Sequence, residues 1–473
     1  MDLLEIVQMV NTYLSDYILC FLLIGLGLYY TIRTRFVQVR CLGEGFSRFF
    51  GNFSLHGRDG KGGMSSFQAL ATAVAAQVGT GNVVGASGAI LTGGPGAIFW
   101  MWIIAFFGMA TNYAEAVLAQ ETRVVKEDGT VLGGPVYYIR RAFPGTFGKF
   151  LAAFFAVAIT LALGFMGCMV QSNSIGETSE AAFGIPAWSI GIVIALLAGF
   201  VFIGGTKRIA RITEKLVPVM AVFYLIGGAV ILLANFDRVI EAVSLIFYYA
   251  FNPEAIIGGS WGMAIKTAIS QGVKRGLFSN EAGMGSTPHA HALANVAKPH
   301  DQGVVAMVGV FIDTFVVLTM TALVVITTLY TGDGILAHGA AEGVSKTNMA
   351  QLAFGSLFGS SLGSIFIAVS LLFFAFSTIL SWNLFAKINV EYLMGKSAVK
   401  LFSLIAIVFV FLGSCLSNNL VWELTDMFNN LMVIPNSLAL FALSSVVVGH
   451  TDEARRLVDE ADEENQYIVQ AEN

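Results

Sequence analysis

Charge is what this sequence has least of. Asp, Glu, Lys and Arg make up 12% of its 473 residues, where a soluble globular protein carries about 25%. That shortfall excludes an ordinary soluble domain. Cysteine is scarce as well: Cys20, Cys41, Cys168 and Cys415 are scattered with no C-x-x-C spacing, which excludes a disulfide framework and reads as buried thiols rather than metal ligands. No H-E-x-x-H or Walker A motif occurs, and no clustered Cys/His set, so an intramembrane enzyme has no support. His289 and His291 stand two apart without a third ligand. The first residues lack the basic n-region of a cleaved signal peptide, which predicts that the first apolar span is retained. The net charge of -5 says little, because an acidic tail from Thr451 to Asn473 sets part of it; that tail reads as a solvated end.

What is present is apolar. Hydrophobic residues make up 56% of the chain, and the mean hydropathy is +0.74. The abundant Gly fits too, since glycine is more frequent in membrane helices. These features predict an all-α polytopic membrane protein. Eleven apolar segments come near the roughly 20 residues that span the hydrocarbon core: 15–33, 66–91, 95–120, 148–175, 186–205, 214–234, 257–285, 302–330, 349–388, 399–417 and 427–449. The ninth is long enough to begin with a lateral helix. Segment 237–255 sets Asp237, Arg238, Glu241 and Glu254 around an apolar face and predicts an interfacial helix. The loop Asn52–Ser65 is glycine-rich and predicted to be mobile.

Basic residues cluster in every second connection: Arg33 to Lys61, Arg123 to Lys149, Lys207 to Lys215, Lys298, Lys387 to Lys400, and Arg455 with Arg456. The intervening connections hold mainly acids, such as Glu177, Glu180, Asp333 and Glu342. By the positive-inside rule the basic loops are cytoplasmic, the N-terminus outside and the C-terminus inside. Residues 1–50 are then an extra N-terminal helix and cytoplasmic loop, 66–234 a first five-helix repeat, 235–449 a second with the interfacial helix, and 450–473 a cytoplasmic acidic tail. Two halves of five spans enter from opposite sides, the condition for an inverted repeat.

The first helix of each half is interrupted. Gly79-Thr80-Gly81-Asn82 breaks the first, and the run Gln271 to Ser286 marks the second. Backbone groups freed at such breaks need partners that hydrocarbon cannot offer. An ion and a polar substrate are such partners, which reads as a secondary transporter. Half-helix carbonyls suit a small hard cation, and half-helix N–H groups suit a carboxylate. A zwitterionic amino acid fits such a pair better than a neutral solute. Thr80, Asn82, Asn280, Gln77, Gln171 and the adjacent hydroxyls Ser377 and Thr378 are candidate side-chain donors. Glu115, Lys266, Lys274, Arg275, Glu281 and Asp313 are costly intramembrane ionisable residues and functional candidates on that ground. Arg275 and Glu281 flank the second break and are candidates to pair across it. Asp313 is open between a helix–helix bond and a proton pathway. Gly93-Gly94-Pro95 predicts a tight turn into a span whose Trp100 and Trp102 sit near the interface or pack inside.

Bland readings compete. Gly79 and Gly81 alone suit close helix packing, Ser377 and Thr378 can bond back to the preceding turn, Phe278 and Trp382 can be packing aromatics, and Gln171 can be satisfied between helices.

The blocks VGTGNVVG at 78–85, GGPGAIFWMW at 93–102, FGMATNYAEAVLA at 107–119, GGPVYYI at 133–139, MVQSNSI at 169–175, ARITEKLVP at 210–218 and GLFSNEAGMGSTPHAHA at 276–292 resemble the alanine or glycine:cation symporters, sodium-coupled carriers of the LeuT-type fold. The resemblance runs from the first span to the last. It implies Na+-driven import of a small neutral amino acid, alanine or glycine, by alternating access across a prokaryotic inner membrane, with no nucleic-acid partner. It also implies substrate contacts at Gly79, Thr80, Gly81, Asn82, Gln171, Phe278 and Trp382, and a Na+ site at the carbonyls of Ala76 and Gly79 with Ser377 and Thr378. A proton-coupled carrier or channel of the same architecture, titrating Asp313 or Glu115, is the competing reading. The chain departs from the family at Ser381-Trp382-Asn383-Leu384-Phe385-Ala386-Lys387, where members show a glycine before the tryptophan and Tyr-Tyr-Gly-Glu after it. That departure bears on the pocket wall and on the cytoplasmic side of the pathway.

Overall fold

The computed structural model describes residues 3–51, 63–253, 260–337, 339, 342–416 and 418–472. The glycine-rich loop falls largely outside these residues, as does Glu254 of the amphipathic segment. Helix occupies each of the eleven apolar segments. Among the described residues, seven helices are long and apolar enough to cross a membrane, and nine if each of two bent pairs counts as one span. The two remaining segments fall short of that description. Ala187–Ile203 has 17 residues, and Trp261–Asn280 carries Lys266, Lys274 and Arg275.

The bent pair near the start of the chain sits at the centre. Ser66–Gln77 and Gly81–Gly93 meet at 44°, and every side chain from Phe67 to Gln77 is buried. Ser65 caps this helix by accepting from the Gln68 amide while the Gln68 side chain accepts from the Ser65 amide, a reciprocal arrangement that satisfies two free donors. The periphery is the reverse. Ala187–Ile203 exposes Leu196, Phe200 and Ile203, an apolar outer face suited to lipid.

Other expectations meet the structure in detail. The ninth segment divides at Gly359 (φ 84°) into Met349–Phe358 and Ser360–Met394. Gly94 (φ 72°) turns the chain between Ala86–Gly93 and Ala97–Thr122. Trp100 and Trp102 are half-buried, donating to Ala250 O at 3.1 Å and to Thr319 Oγ1 at 2.8 Å. The amphipathic helix Phe236–Phe251 buries Ala242, Ile246 and Ala250 and leaves Asp237 and Glu241 exposed. The acidic tail is helical within Ser444–Glu472, and its start is not solvated. Thr451 is buried and lies 3.1 Å from the Tyr113 hydroxyl.

The second break lies within the run Gln271 to Ser286, in its last third. Helix Trp261–Asn280 continues through Gln271, Gly276 and Phe278 and stops at Asn280. Gly272 and Gly276 are packing glycines: a Cβ on them would stand 2.5 Å from Trp100 Cβ and 2.6 Å from Ile104 Cγ2. The chain then opens through Glu281, Gly283 and Gly285, at φ 57°, 83° and 82°, and resumes as the short helix Pro288–Ala292. A left-handed glutamate is strained by about 1–3 kcal/mol, a cost that clusters at functional sites.

Candidate functional site

The opening at Gly79 has a direct hydrogen-bond cause. Val78 N–H still donates to Val74 O at 2.7 Å, but Gly79 N–H turns to Asn82 Oδ1 at 3.0 Å and Thr80 N–H to Gln171 Oε1 at 3.1 Å. In an unbroken helix those two amides would serve the carbonyls of Ala75 and Ala76. The Thr378 hydroxyl takes their place on one side, lying 2.8 Å from Ala75 O and 3.5 Å from Val78 O. Gly79 lets these groups close in: a Cβ on it would meet Thr378 Oγ1 at 2.5 Å and Gln171 Oε1 at 3.1 Å, so one of them would have to shift. Gly81 is packed the same way against Ser279 Cα at 2.9 Å and Phe278 Cδ1 at 3.2 Å.

Asp313 joins the two opened helices. Its carboxylate accepts from Asn82 Nδ2 of the first at 2.6 Å. It also accepts from Ser279 Oγ of the second at 3.0 Å and from Thr314 Oγ1 at 2.8 Å. Gln77 Nε2 adds a direct bond across the gap to Asn280 O at 2.7 Å. Asp313 rides on the π-helical stretch Phe311–Leu318, a helix distortion often found at functional sites. Sequence reasoning had flagged the acid without giving it this place; its only signal was a carboxylate inside an apolar run.

A second carboxylate holds the later opening. Glu115 accepts from Gly283 N–H at 3.0 Å and Gly285 N–H at 2.9 Å, and from Asn436 Nδ2 at 2.7 Å. Two backbone amides that have lost helical partners thus share one buried acceptor. The expected pairing of Arg275 with Glu281 does not occur. Arg275 forks onto Asp426, its two terminal nitrogens at 3.3 and 3.0 Å, and Lys274 reaches the same carboxylate at 3.0 Å. Glu281 instead accepts from Ser286 Oγ and Trp382 Nε1. The reason is geometric: six residues on, Glu281 lies off the helical face of Arg275, and its left-handed backbone past the last helical residue carries it toward Trp382.

The candidate substrate residues form one continuous cluster. Gln171 touches the first break, Gly81 faces Phe278, and Phe278 meets Trp382 edge-on with ring centroids 6.0 Å apart. All are buried, and Thr80 Oγ1 and Gln77 Oε1 have no hydrogen-bond partner among the described residues. Of the candidate cation ligands, Thr378 lies at the opened carbonyls, while Ser377 Oγ donates to Phe374 O at 2.8 Å and approaches Met220 Sδ at 3.5 Å. The carbonyls seen beside Thr378 are those of Ala75 and Val78, each one residue before Ala76 and Gly79. In the departing run, Ser381 Oγ and both polar atoms of Asn383 are buried without partners among the described residues. Lys387 donates to Phe202 O at 2.9 Å. His289 and His291 have ring nitrogens 2.8 Å from Ser286 O and Gln302 Nε2 respectively.

A cavity of about 910 Å³ opens on the side of the basic loops, lined among others by Gln68, Lys207, Arg211, Lys387 and Lys400. On the opposite side Phe278 lies against Trp422, with centroids 4.9 Å apart, and Arg275 and Lys346 each stand 4.8 Å from the Trp422 ring.

Two helices opened at their middles and bound to each other through buried polar groups, inside a multi-pass helical bundle, define the LeuT-type class of transporter. The crystal structure of MhsT in complex with L-phenylalanine has that fold. It aligns with a TM-score of 0.59 at 14% identity, over 83% of this chain and 93% of its own. A profile of the sodium:alanine symporter family matches residues 1–467. The sodium/alanine symporter AgcS of Methanococcus maripaludis is 40% identical over 452 residues, 95% of this chain and 97% of its own. The putative sodium/proton-dependent alanine carrier protein YrbD of Bacillus subtilis is 39% identical over 452 residues, 93% of this chain and 90% of its own. The chain belongs to the sodium:alanine symporter family.

Proposed function

We propose that the protein imports a small neutral amino acid, alanine or glycine, driven by Na+, by alternating access across a prokaryotic inner membrane. The N-terminus is then outside, the C-terminus cytoplasmic, and residues 66–234 and 235–449 are two inverted five-helix halves of an eleven-span protein. The observation that carries the reading is the diversion of the Gly79 and Thr80 amides to the side chains of Asn82 and Gln171. It frees the carbonyls of Ala75 and Ala76; Ala76 O and Gly79 O, with the hydroxyls of Ser377 and Thr378, would surround a hard cation, which takes oxygen ligands. The substrate carboxylate sits beside that cation against the backbone of Gly79 to Asn82. Gln171, Phe278 and Trp382 wall the small side chain.

A proton-coupled cycle is the second reading. The place of Asp313 between the two breaks favours it, as does the sodium/proton dependence in the name of the Bacillus subtilis relative. Uptake of labelled alanine by proteoliposomes separates the two. The sodium reading requires accumulation under a Na+ gradient at uniform pH, with sodium activation weakened in Thr378→Val more than substrate choice is altered. Accumulation driven by a pH gradient with sodium absent would overturn it in favour of the proton cycle.

A further inference from the structure

Away from the transport site, one cluster has the composition of a metal centre. Cys41, Glu44 and His300 bring a thiol, a carboxylate oxygen and an imidazole nitrogen within 4.8 Å of one another. Cys41 and Glu44 are three residues apart, where the start of helix Leu42–Gly51 sets them on one side. His300 comes from the first turn of Pro299–Val310. Zinc-to-ligand lengths of about 2.0–2.3 Å require donors roughly 3.3–3.8 Å apart in a tetrahedron. The His300 Nε2 to Glu44 Oε2 separation is already 3.3 Å, so the set closes on an ion with a shift of about 1 Å in its longest edge.

The imidazole is also held as a metal ligand is held. His300 Nδ1 lies 2.7 Å from the buried Tyr113 hydroxyl, which in turn lies 3.1 Å from Thr451 Oγ1. When Nδ1–H donates to Tyr113, and Tyr113 donates to Thr451, the Nε2 lone pair faces Cys41 and Glu44; this outer contact is the kind that fixes ligand tautomers. Two guanidiniums stand near the site: Arg40, beside Cys41, donates to the carbonyls of Arg35 and Thr34. Arg48 takes Glu44 Oε1 at 2.8 Å, leaving Oε2 for the ion, and is balanced by Asp301 at 3.0 Å. A divalent ion with one thiolate and one carboxylate is neutral overall.

We propose that Cys41, Glu44 and His300 bind one divalent transition-metal ion of the zinc type, with solvent as the fourth ligand. The ion would clip helix Leu42–Gly51 to the helix that leads into the Asp313 segment. Binding expels the Cys41 thiol proton to solvent. The test uses the purified full chain after chelator treatment. Titration with Co2+ should give a thiolate-to-cobalt band in the near ultraviolet, absent in Cys41→Ser and retained in Cys415→Ser. Zn2+ calorimetry should show at least tenfold weaker binding in His300→Gln and Glu44→Gln, and a loss of about 10–100-fold in Tyr113→Phe. Metal-free melting temperatures like the wild type would establish that these variants fold. A cobalt band of equal strength in Cys41→Ser, or wild-type Zn2+ affinity in folded His300→Gln, would overturn the site.

Discussion

Gly79 carries more of the site than any side chain, because its lack of one lets Thr378 approach the opened carbonyls. Gly79→Ala would press a methyl to 2.5 Å from Thr378 Oγ1, whereas a methyl on Gly85 would meet nothing closer than 3.8 Å. Alanine at 79 should therefore lower the initial rate of sodium-driven alanine uptake at least about tenfold, a barrier change near 1.4 kcal/mol, while Gly85→Ala keeps a rate near wild type. Equal rates in the two variants would show that Gly79 is merely tolerated. Asp313 makes a separate claim. Its carboxylate accepts from three side chains, Asn82, Ser279 and Thr314, and an amide offers one oxygen where the acid has two. Asp313→Asn leaves at least one donor unpaired, at about 1.5–3 kcal/mol for a hydrogen bond to a charged group. Uptake should fall about tenfold to a hundredfold, and a wild-type rate would remove Asp313 from the bridge between the breaks.

At the scale of the helix, the first break was legible because Gly79-Thr80-Gly81-Asn82 recurs in kind at the matching place of the second half; alone, its glycines read equally as packing positions. The second was legible as the run Gln271 to Ser286 but not to the residue, the chain opening only after Asn280. Gly272 and Gly276 look like opening residues in a sequence, yet they seat Trp100 and Ile104 of the neighbouring helix. Glycine serves close packing and chain opening with the same letter, and only the neighbour decides. Side-chain partners were illegible for a related reason. Asp426 captures both Lys274 and Arg275 from a helix far away in sequence, which no spacing rule reaches. That capture has a consequence for the element it pins. Asp426 is buried, so Asp426→Asn strips the counter-charge from two cations and loosens the side of the bundle closed by Phe278 and Trp422. A cysteine placed at Thr80 should then react several-fold faster with a thiol reagent added from that side. Unchanged reactivity would mean that the aromatic contact closes the path by itself.

For the molecule as a whole, charge and cavity point the same way. The basic connections lie on the side where the cavity of about 910 Å³ opens beside Lys207 and Arg211, and the aromatic and Asp426 contacts close the other side. If the basic loops are cytoplasmic, as anionic lipid and the insertion machinery favour, this arrangement is open inward and shut outward. Alternating access needs the reverse state too, and substrate with sodium can shift the balance only by binding one state more tightly than the other. Orientation is therefore the quantity on which the direction of transport depends. Lys207 and Asp333 are both exposed and lie on connections of opposite character. With Cys41 and Cys415 replaced by serine, a membrane-impermeant thiol reagent should label Asp333→Cys on intact cells and Lys207→Cys only in inverted vesicles. Labelling of both from one side would break the alternation of the spans, and with it the inward-open assignment of the cavity.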